Sequence, residues 1–323
     1  PPSPRLFTPA AIDFEPDPNA PPPTKWLTFL NDIFDGDTEQ IETLQEWAGY
    51  LLTPDTKYQK ALFMVGPRRC GKGTITRLLT AMIGSANCAS PTTMSFAAQF
   101  GLAGLVGKTA AFINDARFQG NNVPLIVERL LNITGEDAIE VERKFRDSVS
   151  IRLSTRFTIS SNELPKFTDA SNALIGRFIV LRFTKSFYDR EDTTLEDKLR
   201  TELPGILNWS LEGWKRLNQR CKFVQPKAGR DAVRELEELS SPVTAFVRKK
   251  CVLDPEKKIE MDRLYRCYEA WCVSTGMKHA TTSSPVFSRN LTSAYPTITR
   301  GRPTIGDERI RFFKGIDTVD FFV

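Results

Sequence analysis

A glycine-rich segment, GPRRCGKGT at Gly66–Thr74, constrains the fold more than any other part of the 323-residue sequence. The apolar run Ala61–Val65 before it predicts a buried parallel strand, and Lys72–Ile83 after it has apolar residues at helical spacing. Two glycines five positions apart and a following lysine, set between a strand and a helix, are typical of a P-loop, whose backbone N–H groups surround phosphates. The sequence therefore predicts an α/β protein that binds a nucleotide.

The side chains of this loop suggest how the phosphates are held. We expect Lys72 to face solvent and to reach the β- and γ-phosphates. Gly73 stands where a hydroxyl normally contacts Mg²⁺, so the next residue, Thr74, is expected to bind the metal directly or through water. The expected nucleotide-binding residues are Gly66, Pro67, Arg68, Arg69, Cys70, Gly71, Lys72, Gly73 and Thr74.

Two further apolar runs end in polar side chains that suit catalysis. Asp115 follows the run Thr109–Ile113, and a carboxylate at that place holds Mg²⁺ or polarises water in P-loop enzymes. Asn162 follows the run Phe157–Ser160, where an amide can orient the attacking water. A turn-forming Asp or an Asx-turn Asn would give the same local sequence.

Arg177 precedes another apolar run, Phe178–Phe183. An arginine in that position suits a finger that stabilises transition-state charge on the nucleotide of a neighbouring subunit. An ordinary surface arginine at the start of a strand is the alternative. The order of the four features, from phosphate loop to acidic strand, amide strand and arginine, carries more weight than any one of them.

The stretch Ala138–Leu153 predicts a β-hairpin, because apolar residues alternate on both sides of a polar centre. The centre consists of Arg143, Lys144, Phe145 and Arg146. Cations of this kind bind phosphate and an aromatic ring packs on sugar or base, so the tip is a candidate DNA contact. A solvated turn is the alternative.

The composition of the other segments predicts how the chain is divided into domains and linkers. Residues 1–23 are rich in proline and predict a linker or extended arm, and residues 24–60 predict a helical lead-in domain. A core over 61–222 and a linker over 223–240 precede a basic C-terminal domain, 241–323. We expect helices at about 242–251 and 260–275 of that domain, followed by short strands, in a small α+β fold that is either a winged helix or a domain with a basic solvated face.

Several classes of protein are excluded or disfavoured. The six cysteines form no C-x-x-C pair and the chain has one histidine, His279, which argues against a structural zinc site or a histidine-based triad. No run of 18 uncharged apolar residues or secretory leader occurs, so we expect a cytoplasmic protein without a membrane partner. The first 60 residues carry 4 basic and 10 acidic side chains and the remainder 40 and 29, which permits a polyanionic partner.

The ordered motifs resemble those of superfamily-three helicases, most closely the helicase part of phage and plasmid primase–helicases of the poxvirus-like primase group. The resemblance covers roughly residues 24–240, and the strings TRFTISSNELP and GRFIVLRF are specific to that group. It implies an AAA+-like P-loop NTPase core that uses ATP and Mg²⁺ and forms a homo-oligomeric, hexameric ring on single-stranded or forked DNA in a bacterial host cell.

The same resemblance assigns roles to individual residues. Lys72 and its loop would bind ATP, Asp115 would be the acidic motif, Asn162 the sensor and Arg177 the trans-acting finger. The hairpin, with Lys144 favoured at its tip, would project into the channel of the ring. Because the chain begins with Pro1 and not Met, we expect a primase domain upstream on the same parent chain.

Two other functions stay open on sequence alone. A nucleotide kinase-like phosphotransferase also contains G-K-G-T, but it needs a second nucleotide pocket and lid arginines and ignores DNA. A non-translocating DNA-binding initiator module would tolerate loss of Lys72. Subunit stoichiometry and the response to DNA separate these functions from a helicase motor.

Overall fold

The computed structural model describes residues 11–167, 173–277, 281–301, 304–305, 308–309 and 311–319. The chain divides into two compact units. The first contains residues 1–164 and 176–233, and the second contains residues 165–175 and 234–323. In these described ranges, no helix is both long enough and apolar enough to span a bilayer.

The first unit is built around a five-stranded parallel sheet. Its strands are β1 (Ala61–Val65), β2 (Cys88–Ala89), β3 (Ala110–Ile113), β6 (Arg156–Ser161) and β7 (Phe178–Arg182). Their spatial order is β2-β3-β6-β1-β7, so β1 lies between β6 and β7. All residues of β1, β3 and β6 are buried, as the apolar runs in the sequence predict for strands covered on both faces. The predicted α/β class is thereby confirmed.

Helices precede, connect and follow these strands. They are α1 (Thr24–Phe34), α2 (Thr38–Leu51), α3 (Lys72–Ile83), α4 (Thr93–Ala97), α5 (Val123–Thr134), α6 (Ala173–Arg177), α7 (Leu195–Arg200), α8 (Leu203–Arg220) and α9 (Lys227–Ser240). Helix α3 has the bounds that the sequence predicts. The helical stretch from 195 to 220 is divided into α7 and α8 next to Pro204, the second residue of α8, where a proline starts a helix but does not continue one.

The predicted lead-in and the sheet share one hydrophobic core. Trp26 of α1 and Trp47 of α2 are fully buried in the same cluster as Leu62 of β1. Helix α2 crosses α8 closely at Gly49, where an added Cβ would lie 2.2 Å from the Ser210 carbonyl oxygen. In residues 11–23, the predicted arm, Ile12 packs against this core.

A two-stranded antiparallel hairpin lies between α5 and β6. Its strands are β4 (Ala138–Arg143) and β5 (Arg146–Arg152), and Arg143 pairs with Arg146 across a two-residue turn. Ile139 faces Ile151 across the ladder, so the alternating apolar residues share one face. The predicted hairpin is confirmed.

The second unit has its own core and an antiparallel sheet. Its elements in chain order are α10 (Pro242–Lys250), β8 (Cys251–Glu260), α11 (Met261–Ser274), α12 (Ser284–Ala294), β9 (Thr299–Gly301), β10 (Thr304–Ile305), β11 (Glu308–Arg309) and β12 (Phe312–Thr318). The sheet order is β8-β12-β9, and β10 and β11 form a separate small ribbon. Phe246, Tyr268 and Phe287 are fully buried at the centre of the core.

Two stretches differ from the sequence-based expectation. Residues 227–240 of the predicted linker form α9, because Ala232 and Leu236, four residues apart on one helix face, are fully buried. Residues 284–294, expected among short strands, form α12, which buries Phe287 and Leu291. His279 lies outside the described residues, as do the side chains of the basic residues at 302 and 309.

Candidate functional site

The glycine loop runs from the end of β1 to the start of α3 and is tightly packed at both ends. A Cβ on Gly66 would lie 2.4 Å from the carbonyl oxygen of Phe183. Gly71 has a φ of 98°, and a Cβ there would lie 3.0 Å from Ile33 Cγ2 of α1. Both positions therefore require glycine, the second for its backbone conformation as well as for space.

Lys72 is buried, contrary to the expectation that it faces solvent. Its side chain is only 6% exposed, and its ammonium group folds back into the loop. Nζ donates to the carbonyl oxygens of Gly66 at 2.7 Å and Pro67 at 2.8 Å, and to Asn162 Oδ1 at 3.2 Å. The Cys70 sulfur lies 3.3 Å away. An ammonium group is strongly hydrated, so a buried one needs this ring of acceptors.

Asp115 and Asn162 come from neighbouring strands of the sheet. Asp115 follows β3 with a φ of 48°, and its backbone N–H donates to Ser160 Oγ of β6 at 3.3 Å. The Ala116 N–H donates to the Ser160 carbonyl oxygen at 2.7 Å. These bonds fix the turn after β3 against β6, so that Asp115 lies exposed at the edge where Asn162 contacts Lys72.

A cavity of about 510 Å³ brings these groups together at the carboxyl ends of β1, β3 and β6. Its charged lining residues are predominantly cationic, namely Arg68, Arg69, Lys72, Arg77, Arg117 and the single carboxylate Asp115. The neutral lining residues are Cys70, Gly71, Gly73, Thr74, Asn114, Ser160 and Asn162. This charge distribution suits an anionic ligand with several phosphates.

Sequence reasoning missed two of these cations, Arg77 and Arg117. Arg77 lies on α3 five residues after Lys72, and Arg117 lies two residues after Asp115. The closeness of Arg77 to Lys72 and of Arg117 to Asp115 in the sequence was the signal that could have identified them as site residues.

A second cavity of about 630 Å³ lies beside the first and shares Arg69, Gly71, Thr74 and Arg77 with it. Phe29 and Ile33 of α1, with Phe187 and Leu195, supply its apolar wall. Asp32, Glu191 and Glu196 are among its polar lining residues. An apolar pocket with a few polar groups, continuous with a cationic one, fits a ligand that is part aromatic and part polyanionic.

Thr74 and Asp115 have the donor chemistry that Mg²⁺ requires. Both line the 510 Å³ cavity, one with a hydroxyl and the other with a carboxylate. Magnesium in nucleotide sites binds one or two protein oxygens together with substrate phosphates and waters, so this small donor set fits the ion. Among the described residues, neither side chain forms a hydrogen bond or an ion pair, which leaves their oxygens open to a ligand.

Arg177 lies at the opposite end of the sheet from the glycine loop. Phe178 pairs with Ala61, the first residue of β1, whereas Gly66 follows the last. The guanidinium group donates to Gln59 Oε1 and to the Thr134 carbonyl oxygen at 3.3 Å. The five residues of β1 are joined by four steps of the strand, which separate its two ends by about 13 Å. Arg177 therefore does not reach the loop of its own chain.

Lys60 accompanies Arg177 at this edge. Its ammonium group donates to the Gly176 carbonyl oxygen at 2.6 Å. Burial lowers the pKa of the Lys60 amine, and the neighbouring positive charge of Arg177 lowers it further. The two cations are close enough to interact, which makes this edge attractive to an anion that would neutralise both.

The hairpin tip is a separate, exposed feature. Phe145 is 93% exposed with a φ of 59°, and Lys144 Nζ lies 5.1 Å from the centre of its ring. Arg143 is held in place by a hydrogen bond within the hairpin, because its Nη2 donates to the Asp147 carbonyl oxygen at 2.9 Å. The stem carries Glu140 and Glu142 on its exposed face. The cations at the tip would therefore attract a polyanion, whereas the two glutamates of the stem would repel it.

Comparisons with known proteins agree with the fold. A family model described as a family of unknown function, DUF5906, matches residues 64–177, the stretch from the end of β1 to Arg177. The apo structure of the NrS-1 C-terminal region (305–718) is similar over 98% of this chain and 84% of its own length, with a TM-score of 0.57 and 17% identity. An A-form apo structure of the same region is similar over 94% and 79%, with a TM-score of 0.57 and 15% identity. At these identities the likeness concerns the fold, and this chain is therefore similar in architecture to the NrS-1 C-terminal region.

Proposed function

We propose that this chain is the ATP-driven motor of a DNA helicase, acting as a homo-oligomeric ring in phage or plasmid replication. One observation carries the proposal: Lys72, Asp115 and Asn162 line a single cationic cavity at the end of a parallel sheet, beside an apolar pocket. The fold likeness to the NrS-1 C-terminal region and the exposed basic hairpin tip support it.

The proposed reaction is hydrolysis of ATP. The loop N–H groups and Lys72 bind the β- and γ-phosphates, and Arg117 adds positive charge around them together with Arg77, whose charge is partly balanced by its ion pair with Glu196. Thr74 and Asp115 would hold Mg²⁺, which neutralises phosphate charge. Asn162 orients a water molecule whose oxygen attacks the γ-phosphorus. The bond to the β–γ bridging oxygen breaks, ADP takes the electron pair, and the water proton passes through Asp115 to solvent.

The second cavity would receive the nucleoside part of the same ATP molecule. Phe29 and Ile33 offer an apolar wall for a base, and both also contact the space above Gly71. Helix α1 thus packs against the phosphate loop and would also contact the base. This arrangement favours one nucleotide across the two cavities over a phosphotransferase with two separate substrates.

Arg177 is proposed to act on the nucleotide of a neighbouring subunit. Rings of the Arg177→Ala variant and rings of the Lys72→Ala variant should each lack ATPase activity, whereas mixed rings should recover part of it. In random mixtures, roughly a quarter of the head-to-tail interfaces combine an intact loop with an intact arginine. The measurement is ATP turnover of the mixture against each parent.

Two controls make this mixing experiment decisive. Native mass spectrometry should show that subunits exchange, and Arg177→Lys, which keeps the charge without the planar fork, should stay strongly impaired. Thermal melting of the Arg177 variants checks that the bonds to Gln59 and Thr134 are not essential for folding. Mixed rings without any recovered turnover would contradict the trans role.

The hairpin tip is proposed to grip single-stranded DNA. Replacing Arg143, Lys144 and Arg146 together by Ala should leave basal ATPase activity and oligomer size unchanged, because the tip lies outside both cavities. DNA-stimulated ATPase and strand displacement should fall to background. The slope of log affinity against log salt should flatten by about 0.7 for each phosphate that the variant no longer neutralises.

A matched variant tests whether stimulation by DNA depends on cations at the hairpin tip or on positive charge anywhere on the hairpin. Arg152→Ala removes an exposed cation from the other end of β5 and should preserve stimulation by DNA. Unwinding at the parental rate in the triple variant would show that the hairpin is only structural. A monomer or dimer whose phosphotransfer ignores DNA would instead favour the kinase-like function.

A further inference from the structure

Gly73 stands directly after Lys72, at the position where a P-loop normally carries a hydroxyl side chain. It is the second residue of α3 and its backbone is helical, so no left-handed conformation requires a glycine there. Glycine also weakens a helix relative to most other residues. The reason for this glycine therefore lies in its surroundings and not in its own backbone.

The guanidinium group of Arg77 fills the space beside Gly73. Arg77 follows Gly73 by four residues, so both lie on one face of α3, and long helical side chains lean toward the N-terminus of their helix. A Cβ on Gly73 would lie 3.0 Å from Arg77 Nη1 and 3.9 Å from its Cζ. A serine or threonine at position 73 would therefore collide with the guanidinium group. In this chain, a guanidinium group stands where a P-loop usually places a hydroxyl.

Glu196 of α7 holds this guanidinium group by a single nitrogen. Arg77 Nε donates to Glu196 Oε2, and Arg200 Nη2 donates to Glu196 Oε1 at 2.9 Å. Burial acts to raise the pKa of Glu196, but the hydrogen bonds from Arg77 and Arg200 outweigh it and hold the pKa below its usual value. The carboxylate is therefore charged at neutral pH and orients Arg77 through Nε.

The two terminal nitrogens of Arg77 are open to a ligand. Within the part of the chain that the structure describes, Nε has a hydrogen-bond partner, whereas Nη1 and Nη2 have none. The side chain is 56% exposed and lines the 510 Å³ cavity together with Lys72 and Thr74. A guanidinium group that is held at Nε presents Nη1 and Nη2 as a planar pair, which can bind two phosphate oxygens at once.

The second arginine on Glu196 shows what a purely structural partner looks like. Arg200 lies on α7 with Glu196, one helical turn away, and both its Nε and its Nη2 donate to that carboxylate. It lines neither the 510 Å³ nor the 630 Å³ cavity, whereas Arg77 lines both. The same carboxylate thus binds one arginine that is used up by the ion pair and one that keeps its terminal nitrogens for the cavity.

We propose that Arg77 is a phosphate-binding residue that takes the space of the absent hydroxyl side chain and binds the β- and γ-phosphates through Nη1 and Nη2. Glu196 is its positioning residue, and Gly73 is the residue that makes room for it. The inference rests on the proposed nucleotide site and deepens it, because it gives Arg77 a direct contact where the cavity alone indicates only positive charge. It does not require that the chain hydrolyse ATP or move along DNA.

The first test measures the affinity of the whole chain for the non-hydrolysable ATP analogue adenylyl imidodiphosphate, with Mg²⁺, by isothermal titration calorimetry. Arg77→Ala should weaken binding by about tenfold, the size expected for loss of a hydrogen bond between charged groups. Arg200→Ala is the matched control, because it removes the other arginine from Glu196 and lies outside the lining of both cavities. It should change the affinity by less than about twofold, since an exposed ion pair contributes little.

The second test moves the guanidinium group without deleting it. Gly73→Thr restores the usual P-loop residue, yet it should weaken binding of the analogue by about tenfold, because its side chain displaces Arg77. Gly73→Val has the same shape without the hydroxyl and should have the same effect. When Arg77 is already Ala, either change should cost less than about a further twofold. Both variants should melt as the parent does, because the crowded atoms are the flexible end of an exposed side chain.

The third test concerns the positioning role of Glu196. Glu196→Ala should weaken binding of the analogue by about threefold or more, and this loss should vanish when Arg77 is already Ala. Glu196→Gln keeps an oxygen acceptor for Nε and should recover most of the affinity. Tighter binding in Glu196→Ala would mean that the carboxylate withholds Arg77 from the phosphates, and it would overturn the positioning role.

The outcomes separate this inference from the proposed motor. Parental affinity in Arg77→Ala or in Gly73→Thr, an equal loss in Arg200→Ala, or additive losses in the Gly73→Thr/Arg77→Ala double variant would each overturn the inference. A parental chain that binds no nucleotide would overturn it together with the nucleotide site. A chain that shows the expected binding pattern but neither hydrolyses ATP nor unwinds DNA would contradict the motor alone and support the role of Arg77.

Discussion

Replacing Lys72 with alanine is expected to lower ATP turnover by at least about 100-fold, the cost of removing one charged transition-state donor in a buried site. The loss follows from the place of Lys72, which lines the cavity and whose ammonium group is held within the loop by the Gly66 and Pro67 carbonyl oxygens and Asn162. Steady-state phosphate release with saturating ATP and Mg²⁺ measures the effect.

The control for Lys72 must separate chemistry from folding, because the side chain is buried. Lys108→Ala removes another lysine whose ammonium group binds a backbone carbonyl, that of Ala86. Lys108 precedes β3 whereas Asp115 follows it, so Lys108 lies at the other end of that strand and outside the lining of the cavity. Both variants should retain a cooperative melting transition. Turnover close to the parental value in a folded Lys72→Ala protein would remove the phosphate-binding role from the loop.

Replacing Gly49 with valine is expected to destabilise the first unit more than any surface change. An added Cβ would lie 2.2 Å from the Ser210 carbonyl oxygen and 2.7 Å from the Trp214 nitrogen, both of which belong to the backbone of α8. Helix α2 would have to move away from α8, where Gly213 makes an equally close approach to Gln45. Overpacking against backbone costs about 3 kcal/mol or more, which lowers the melting temperature by roughly 6–12 °C.

Gly104→Val is the matched control for this change. Gly104 has no atom within 4 Å of the position of an added Cβ, so the same substitution should shift the melting temperature by no more than about 2 °C. Scanning calorimetry of both variants gives the comparison. Equal melting temperatures for Gly49→Val and the parent would mean that α2 and α8 do not need this close approach.

The sequence predicts the site best where local pattern and geometry coincide. The strand Ala61–Val65, the loop and helix Lys72–Ile83 have the predicted bounds, because apolar strand, glycine turn and amphipathic helix each leave a local signal. The convergence of Asp115 and Asn162 follows from the rule that parallel strands end at one edge. The burial of Lys72 was not predictable. Two of its acceptors are backbone carbonyl oxygens, and the direction in which a backbone carbonyl points cannot be read from the residue types.

Elsewhere, tertiary packing decided what local pattern left open. Residues 284–294 are rich in Ser and Thr, which have modest helix propensity, yet Phe287 and Leu291 hold them as a helix by burial. The stretch 227–240 follows a Pro-containing polar segment, which favoured the linker, although its Ala, Arg, Glu and Leu residues are good helix formers and Ala232 and Leu236 share a buried helix face. Whether Arg77 and Arg117 line the cavity depends on which side of α3 and of the turn after β3 faces it, and the local sequence does not record that.

Strand β1 joins two chemically different ends of the first unit. Its five residues are all buried between β6 and β7, with Lys60 at one end and the phosphate loop at the other. A strand hydrogen-bonded on both sides is already extended, so a displacement at one end of its roughly 13 Å length is transmitted to the other end. Under the proposed function, a displacement of the loop on phosphate release would move the cations that this subunit offers to its neighbour. Each subunit would then signal the state of its own site through the length of a single strand.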